Sequence, residues 1–459
     1  MLADQAFSRA AGAPLVTGNA VRLLCDAREN YPAWLEAIER ATRHVHFETY
    51  ILHEDALGER FASALAAKAR AGVAVRVVYD WLGGLHRTSR RFWGRLREAG
   101  VEVRCYNAFR LEEPFGWLSR DHRKCVVVDG EIAFVTGLCV GQVWEGDPAR
   151  GIAAWRDTGV EVRGPAVADV ARAFADSWAA CGVPLPKDAQ AGVTPEPAGD
   201  VALRVVADTP GATGLFRVDQ LVAALARRSL WLTDAYYAGM SAYVQALRAA
   251  AQDGVDVRLL VPGRGSDIPV MQAISRAGYR VLLEAGVRVF EWNGPMVHAK
   301  TAVADGHWAR VGSTNLNLAS WIGNRELDVI VEDDGFARAM EEQYLKDLAG
   351  STEVVLSRRR VRAAGDVKTP RIRGGGGSAS RAAAGALRLG HAVGAALSPR
   401  RLHKPAPRSV LVSAGLGLVA LALIGVFWPQ ALAWPLAALG LWLGLVLLLR
   451  AARASAARP

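Results

Sequence analysis

The 459-residue chain is predicted to be an α/β protein built from two copies of one unit, followed by a basic linker and two apolar spans. Three observations lead there: an internal repeat before residue 357, an abrupt change of charge at that point, and two uncharged runs near the C-terminus. With 51% hydrophobic and 22% charged residues the chain can bury sizeable cores, which excludes disorder throughout.

The repeat is visible as phrases in matching order. A strand-like stretch at 44–51 (HVHFETYI) precedes a helical pattern, Ala71-Gly72, and an alternating strand at 73–79 (VAVRVVY). The stretch at 230–237 (LWLTDAYY), a second helical pattern and 255–261 (VDVRLLV) repeat that order. LREAGV at 96–101 before EVRCY recurs as LLEAGV at 282–287 before RVFEW. Strands alternating with helices predict an α/β sheet in each half. Two like halves of ordinary domain size are expected to pack about a pseudo-two-fold axis, with a site at the axis drawing on both. The expected domains are residues 1–195 and 196–356, then a flexible linker at 357–407, two transmembrane helices at 408–450 and a tail at 451–459.

Charge divides at the same place. After Ser357 sixteen basic residues face one acid, Asp366, whereas the preceding part holds 39 basic and 44 acidic residues. The formal net charge of +10 therefore belongs to the tail, and the acidic front argues against nucleic acid as partner. Residues 409–428 and 431–449 carry no charge. About 20 helical residues span a hydrocarbon core of ~30 Å, so these runs read as a membrane hairpin turning at Pro429-Gln430. Arg400, Arg401, Lys404 and Arg408 before it, and Arg450 and Arg453 after it, place both ends in the cytoplasm. Beside an anionic leaflet each basic residue of the linker contributes ~1 kcal/mol of attraction. Cys25, Cys105, Cys125, Cys139 and Cys181 are odd in number and form no close pair, which reads as reduced cytosolic thiols. The N-terminus shows no signal peptide.

Each half carries the same polar constellation after its EAGV strand. His122-x-Lys124-x4-Asp129 and His298-x-Lys300-x4-Asp305 share one spacing. His and Lys two apart on a strand point the same way. Seventeen residues after each histidine stand Cys139 and Asn315, and further on Trp155-Arg156-Asp157 matches Asn324-Arg325-Glu326. Such residues suit phosphoryl transfer: an imidazole can attack phosphorus, a second can act as acid and base, lysines stabilise phosphate oxygens, and carboxylates orient the imidazoles. No metal or other cofactor is expected, because no Asp/Glu-rich cluster accompanies the histidines and the lysines would repel a cation.

On these paired motifs, on Gly312-Ser313-Thr314-Asn315, on TYIL and AGVAVRVVYD, and on WRDTGVEVRGPAV from Trp155, the chain resembles two-motif members of the phospholipase D superfamily, nearest to bacterial cardiolipin synthases. The resemblance covers roughly residues 30–350. It implies two phospholipase D-like α/β sandwich domains and six catalytic residues, His122, Lys124, Asp129, His298, Lys300 and Asp305. It makes His122 the nucleophile and His298 the general acid/base. Lys124, Lys300, Ser313 and Asn315 would bind phosphate, and Asp157 and Glu326 would support the histidines, without indicating which serves which. The chain departs from the family pattern at Thr136-Gly137-Leu138-Cys139, where an asparagine is usual, and at Ala319-Ser320. Phe115 and Trp117 stand where they could line a lipid entrance.

The implied reaction is phosphatidyl transfer through a phosphohistidine, from phosphatidylglycerol to the hydroxyl of another phospholipid, giving cardiolipin and glycerol. Phospholipid hydrolysis is the alternative, and a nuclease or a retired scaffold stands behind it. Expected partners are anionic phospholipids and the bilayer, at the inner bacterial membrane with the catalytic halves on the cytoplasmic side. Deleting residues 408–459 is expected to move the protein from the membrane to the soluble fraction with its motifs still folded. A fully membrane-bound truncation would show that the hairpin is not the main anchor.

Overall fold

The computed structural model describes residues 2–108, 119–186 and 195–356, with six helical positions at 423, 426, 430, 434, 437 and 441. The chain divides into two compact units, Met1–Ala363 and Ala364–Pro459. Apart from those six positions, the predicted linker, hairpin and tail lie outside the described residues, as do Phe115 and Trp117. Among the described residues no helix is long and apolar enough to cross a membrane.

In the first unit the duplication is realised strand for strand. The first half contributes β1 Val16–Cys25, β2 His44–Thr49, β3 Ala74–Asp80, β4 Glu102–Tyr106, β5 Cys125–Val128, β6 Ile132–Thr136 and β7 Thr158–Arg163. The second contributes β8 Val201–Asp208, β9 Ser229–Thr233, β10 Asp256–Pro262, β11 Arg288–Trp292, β12 Thr301–Ala304, β13 Trp308–Gly312, β14 Glu326–Glu332 and the added edge strand β15 Ser351–Val354. The order β1-β7-β6-β5-β2-β3-β4 of one half is matched by β8-β14-β13-β12-β9-β10-β11 in the other, and β1 pairs with β8 to join them. In both halves the three strands linked by helices run parallel and the hairpin strands run antiparallel, as crossover geometry requires.

The repeated Ala-Gly-Val phrases are helix terminators. Gly72, Gly100, Gly254 and Gly286 all stand at φ between 88° and 95°. The following valine N–H reaches back to the carbonyl five residues earlier, as in Val101 to Leu96 at 3.0 Å and Val287 to Leu282 at 3.1 Å. This is the glycine-ended helix stop, which turns the chain directly into the next buried strand. Helix starts are capped by Asp55, Ser89 and Asp333, whose side chains accept from Gly58, Phe92 and Phe336 amides.

Each half keeps its own core on one side of its sheet, around Tyr31, Trp34, Phe47 and Phe61 in the first and Leu215, Tyr243, Leu259 and Trp321 in the second. A third core is shared. There Val127, Val135 and Val160 meet Val205, Val329 and Val331, with Phe174 and Trp178 from the helix Val167–Ala180 and Phe336 and Met340 from Asp334–Ala349. The helix Leu2–Ala11 reaches over to the second half: Ala11 joins that core and Phe7 stacks on Trp308 at 6.5 Å.

The aspartate of each H-x-K-x4-D motif sits at the hairpin turn, away from the histidines. Asp129 and Gly130 have φ of 54° and 69°, and Asp305 and Gly306 have 56° and 68°, the all-positive pair that a type I′ turn needs. The aspartate stands seven residues after the histidine, roughly 23 Å of extended chain, so the motif's own spacing carries the carboxylate out of the site. Asp129 accepts from the Thr42, Arg43 and His44 amides at 2.8 Å each, and Asp305 from those of Arg227, Arg228 and Ser229 at 2.7–2.9 Å. Burial opposes ionisation of Asp129, but the His44, Thr42 and Arg43 amides hold its carboxyl below the usual range. Both residues, expected to be catalytic, instead pin the first residues of β2 and β9 to the hairpins that carry the motifs. Asp129→Ala is expected to cost on the order of 2–3 kcal/mol of stability, read as a lower urea midpoint. An unchanged midpoint with lost chemistry would return the residue to the site.

Candidate active site

The two histidines enter the site on short stretches just before β5 and β12. Each stretch is stitched to the opposite half by a reciprocal pair of backbone bonds. His122 N–H donates to Arg325 O at 2.9 Å and Arg325 N–H to Arg120 O at 2.8 Å. In the mirror arrangement His298 N–H donates to Arg156 O at 2.7 Å and Arg156 N–H to Met296 O at 2.8 Å. The next residue in each partner stretch is a carboxylate, and so the carboxylates are exchanged between halves. His122 Nδ1 faces Glu326 at 2.9 and 3.1 Å, and His298 Nδ1 faces Asp157 Oδ2 at 2.7 Å.

The carboxylates are fully buried and held on their remaining sides. Glu326 also accepts from the Ser313 hydroxyl at 2.6 Å and Asn324 Nδ2 at 3.2 Å. Asp157 accepts from the Thr158 amide at 2.8 Å and Trp144 Nε1 at 3.3 Å. Burial alone would raise both carboxyls, but the facing histidines, with further help from nearby lysines, hold them below the usual range. The imidazoles move the other way: burial pulls both down, Lys124 adds to the effect at His122 and Lys300 at His298, and His298 falls to about 3. An ionised carboxylate at Nδ1 keeps the proton there, which leaves Nε2 of each neutral imidazole as a free lone pair.

Lys124 and Lys300 are 1% exposed. Lys124 Nζ donates to His122 O at 2.6 Å, and Lys300 Nζ to His298 O. The ammonium of Lys124 lies 5.4 Å over the Tyr50 ring and that of Lys300 5.8 Å over Tyr236. Those rings stand edge-on to His122 at 5.0 Å and His298 at 5.8 Å. Trp144 and Trp155 add ring contacts to His298 at 5.6 and 5.7 Å, so the second histidine is the more enclosed. Burial, and then repulsion from Lys124, leave Lys300 at about 8 despite the pull of Asp157.

The Ser313–Asn315 loop separates two residues that the sequence grouped as phosphate ligands. Ser313 is fully buried; its hydroxyl donates to Glu326 and accepts from the Leu327 amide at 2.9 Å. It serves the His122 carboxylate and has no hydroxyl hydrogen left for a phosphate. Asn315 is 4% exposed and its Oδ1 has no partner among the described residues. The loop is held by Asp328, which accepts from Ser313 and Thr314, and by Asp234, which accepts from the Leu316 amide at 2.8 Å. Cys139, at the matching position of the first half, is 1% exposed, and burial pushes its thiol up against the pull of Lys124 and Lys300.

Sequence reasoning missed the scaffolding behind these groups. Arg156 bridges Asp26 and Asp347, with Nε to Asp347 at 2.9 and 3.1 Å. Arg123, fully buried, donates to the carbonyls of Ala173, Asp208 and Glu326. The arginines of the WRD and NRE phrases were a signal, since a buried charged residue at a matched place just before two buried strands calls for partners. His46 is 2% exposed and stacked on Phe174 at 4.4 Å.

A duplicated α/β sheet with paired H-x-K motifs defines the class of phospholipase D-like proteins. The family described as "Cardiolipin synthase, PLD-like domain" matches residues 34–139 and 222–348. Cardiolipin synthase A of Pseudomonas fluorescens is 36% identical over 74% of this chain and 71% of its own length, and a cardiolipin synthase of Alkalihalophilus pseudofirmus is 31% identical over 75% and 69%. The fold is that of phosphatidylserine synthase from Haemophilus influenzae, at TM-score 0.59 and 14% identity over 77% of this chain and 92% of that one. The chain belongs to the cardiolipin synthase family of phospholipase D-like proteins.

The free enzyme is expected to lose kcat/KM as pH rises through about 8, where Lys300 gives up its charge. Lys300→Arg, charged to above about 12, is expected to move that alkaline limb upward whatever its effect on rate. An unmoved limb in the variant assigns it to another group.

Proposed function

We propose that the protein transfers a phosphatidyl group from phosphatidylglycerol to the hydroxyl of a second phosphatidylglycerol, forming cardiolipin and releasing glycerol. One observation carries the reading most: two imidazoles, each held at Nδ1 by a buried carboxylate of the opposite half, share the site with two buried lysines bonded to the histidines' own carbonyls. The relatives named cardiolipin synthase support the lipid assignment.

In the resting site both histidines are neutral, yet one must donate a proton. The substrate resolves this. Burial holds the imidazoles down and the lysines add to it; a phosphodiester anion between Lys124 and Lys300 offsets the lysines' part and adds a favourable negative charge, and so favours protonation of one imidazole. Following the family resemblance, His122 Nε2 attacks phosphorus while the P–O bond to the glycerol headgroup breaks. The departing oxygen takes its proton from the His298 imidazolium. The acceptor hydroxyl then loses its proton to His298 and attacks phosphorus, breaking the P–N bond and restoring His122. Lys124, Lys300 and the Asn315 amide stabilise the charge on the non-bridging oxygens. Ser313, Glu326 and Asp157 act through the histidines by positioning. No step calls for a metal. The basic tail and apolar spans support a place at the bacterial inner membrane with the site facing the cytoplasm.

Purified full-length protein is to be incubated with phosphatidylglycerol, alone and with phosphatidylethanolamine, and the products identified by mass. Cardiolipin with free glycerol is the expected outcome; phosphatidic acid alone would replace transfer by hydrolysis. His122→Ala is expected to abolish turnover and the acid-labile phosphoenzyme, and His298→Ala to slow turnover by about 10²–10⁴-fold. Normal turnover by the His122 variant would overturn the nucleophile assignment.

A further inference from the structure

The helix Pro269–Leu283 is apolar on two sides. Its inner side buries Ser275, Tyr279 and Leu282. Its outer side exposes Val270 at 64%, Ile274 at 47% and Val281 at 43%, with Ala273 and Ala277 between them, and Ile268 at 39% just before the helix. Positions 270, 274, 277 and 281 advance by three or four, and 273 lies three after 270 and four before 277, so they form one continuous stripe on the helix surface. A solvated helix normally places polar residues there. Here the charged residues stand beside the stripe: Arg276 bonds Glu291 at 2.7 Å and Arg280 bonds Glu284 at 2.8 Å. Ile274 and Val281 also border an open groove of about 390 Å³ that Val244 and Arg248 line from the neighbouring helix.

The stripe begins at the rim of the active site. Asp267, three residues before Val270, accepts the Tyr236 hydroxyl at 3.0 Å, and the Tyr236 ring is edge-on to His298. The first half has a counterpart. The turn after β3 exposes Leu82 at 37% and Leu85 at 39%, and it starts at Asp80, whose carboxylate accepts the Asp121 amide beside His122 at 2.9 Å. Each half thus puts exposed aliphatic side chains on the loop that borders its own histidine.

We propose that the outer stripe of the helix Pro269–Leu283, extended by Leu82 and Leu85, is an interfacial surface that seats the active-site rim on an anionic lipid bilayer. The inference rests on the phosphatidyl-transfer reading. His122 and His298 are only 8% and 5% exposed, so a headgroup has to enter while its acyl chains remain in the bilayer. That requires the bilayer to touch the rim, and an exposed aliphatic stripe on a helix sinks about 5–10 Å into a headgroup layer. Exposed Arg264, on the loop leading to the stripe, adds attraction to an anionic leaflet. A second protein copy on this surface would cover the loops that both lipids must pass, which is why the bilayer is the occupant assigned.

The test uses the full chain and the variants Val270→Glu/Ile274→Glu and Val270→Glu alone, the latter removing almost no buried contact. Turnover is compared on phosphatidylglycerol vesicles and on a short-chain phosphatidylglycerol kept monomeric. The double variant is expected to lose about ten-fold or more on vesicles and to change less than about two-fold on monomers. Equal losses on both, or none on either, would overturn the proposal. Hydrogen exchange of residues 268–283 is measured in parallel, with and without phosphatidylglycerol vesicles. Protection on adding vesicles supports the surface, and no change while vesicles are bound refutes it. Protection that grows with protein concentration in the absence of lipid assigns the stripe to a second copy and refutes it as well. Exchange needs no turnover, so a protein that makes no cardiolipin yet gains protection fails the reaction reading alone.

Discussion

The molecule depends on an exchange: each half positions the other half's histidine. The backbone bonds between the His122 stretch and Arg325, and between the His298 stretch and Arg156, bring Glu326 to His122 and Asp157 to His298. Neither half holds a complete His–carboxylate pair by itself. An isolated half would leave its carboxylate without the histidine it orients and its histidine without an orienting carboxylate. The shared core of Val127, Val160, Val205 and Val329 is the apolar counterpart of that constraint, because it fixes the two sheets at the spacing the four polar residues need.

The exchange also explains the electrostatic state of the site. Two carboxylates and two lysines share a water-poor space with two imidazoles, and the lysines lower what the carboxylates would raise. The resting balance leaves nucleophilic nitrogen on both sides and no surplus proton. In the proposed reaction the phosphodiester anion supplies the negative charge that tips one imidazole toward the acid form. A metal ion would compete with the lysines for that role and is not needed for it. Among the described residues His298 has ring contacts with Trp144, Trp155 and Tyr236 and His122 with Tyr50, so the halves differ around a common plan.

Much of this could be read from particular residues. The helix end at Ala71-Gly72 was legible, whereas the EAGV phrases, grouped with strands in the sequence, end helices at Gly100 and Gly286 and only then lead into β4 and β11. The repeat announced two sheets of one topology, and the strand orders agree. Beyond the effect of burial, Lys300 lies near enough to lower the His122 imidazole, and Lys124 the His298 imidazole. Asp129 and Asp305 stay away from the histidines, because a motif gathered by sequence proximity runs the length of a strand and ends at a turn. Ser313 was misassigned for a related reason: a hydroxyl next to a phosphate-binding asparagine looks like a ligand until its hydrogen is seen to be taken by Glu326.

By itself the sequence determined the duplication, the motif residues, the superfamily and the contrast between an acidic front and a basic tail. All of these are local patterns, readable within a few residues or by comparing one half with the other. Only the tertiary structure decided that Glu326 serves His122 across 204 positions and Asp157 serves His298 across 141. Symmetry permits each carboxylate to stay in its own half or to cross over. The choice is made by which strand ends the packed sheets bring within hydrogen-bond reach.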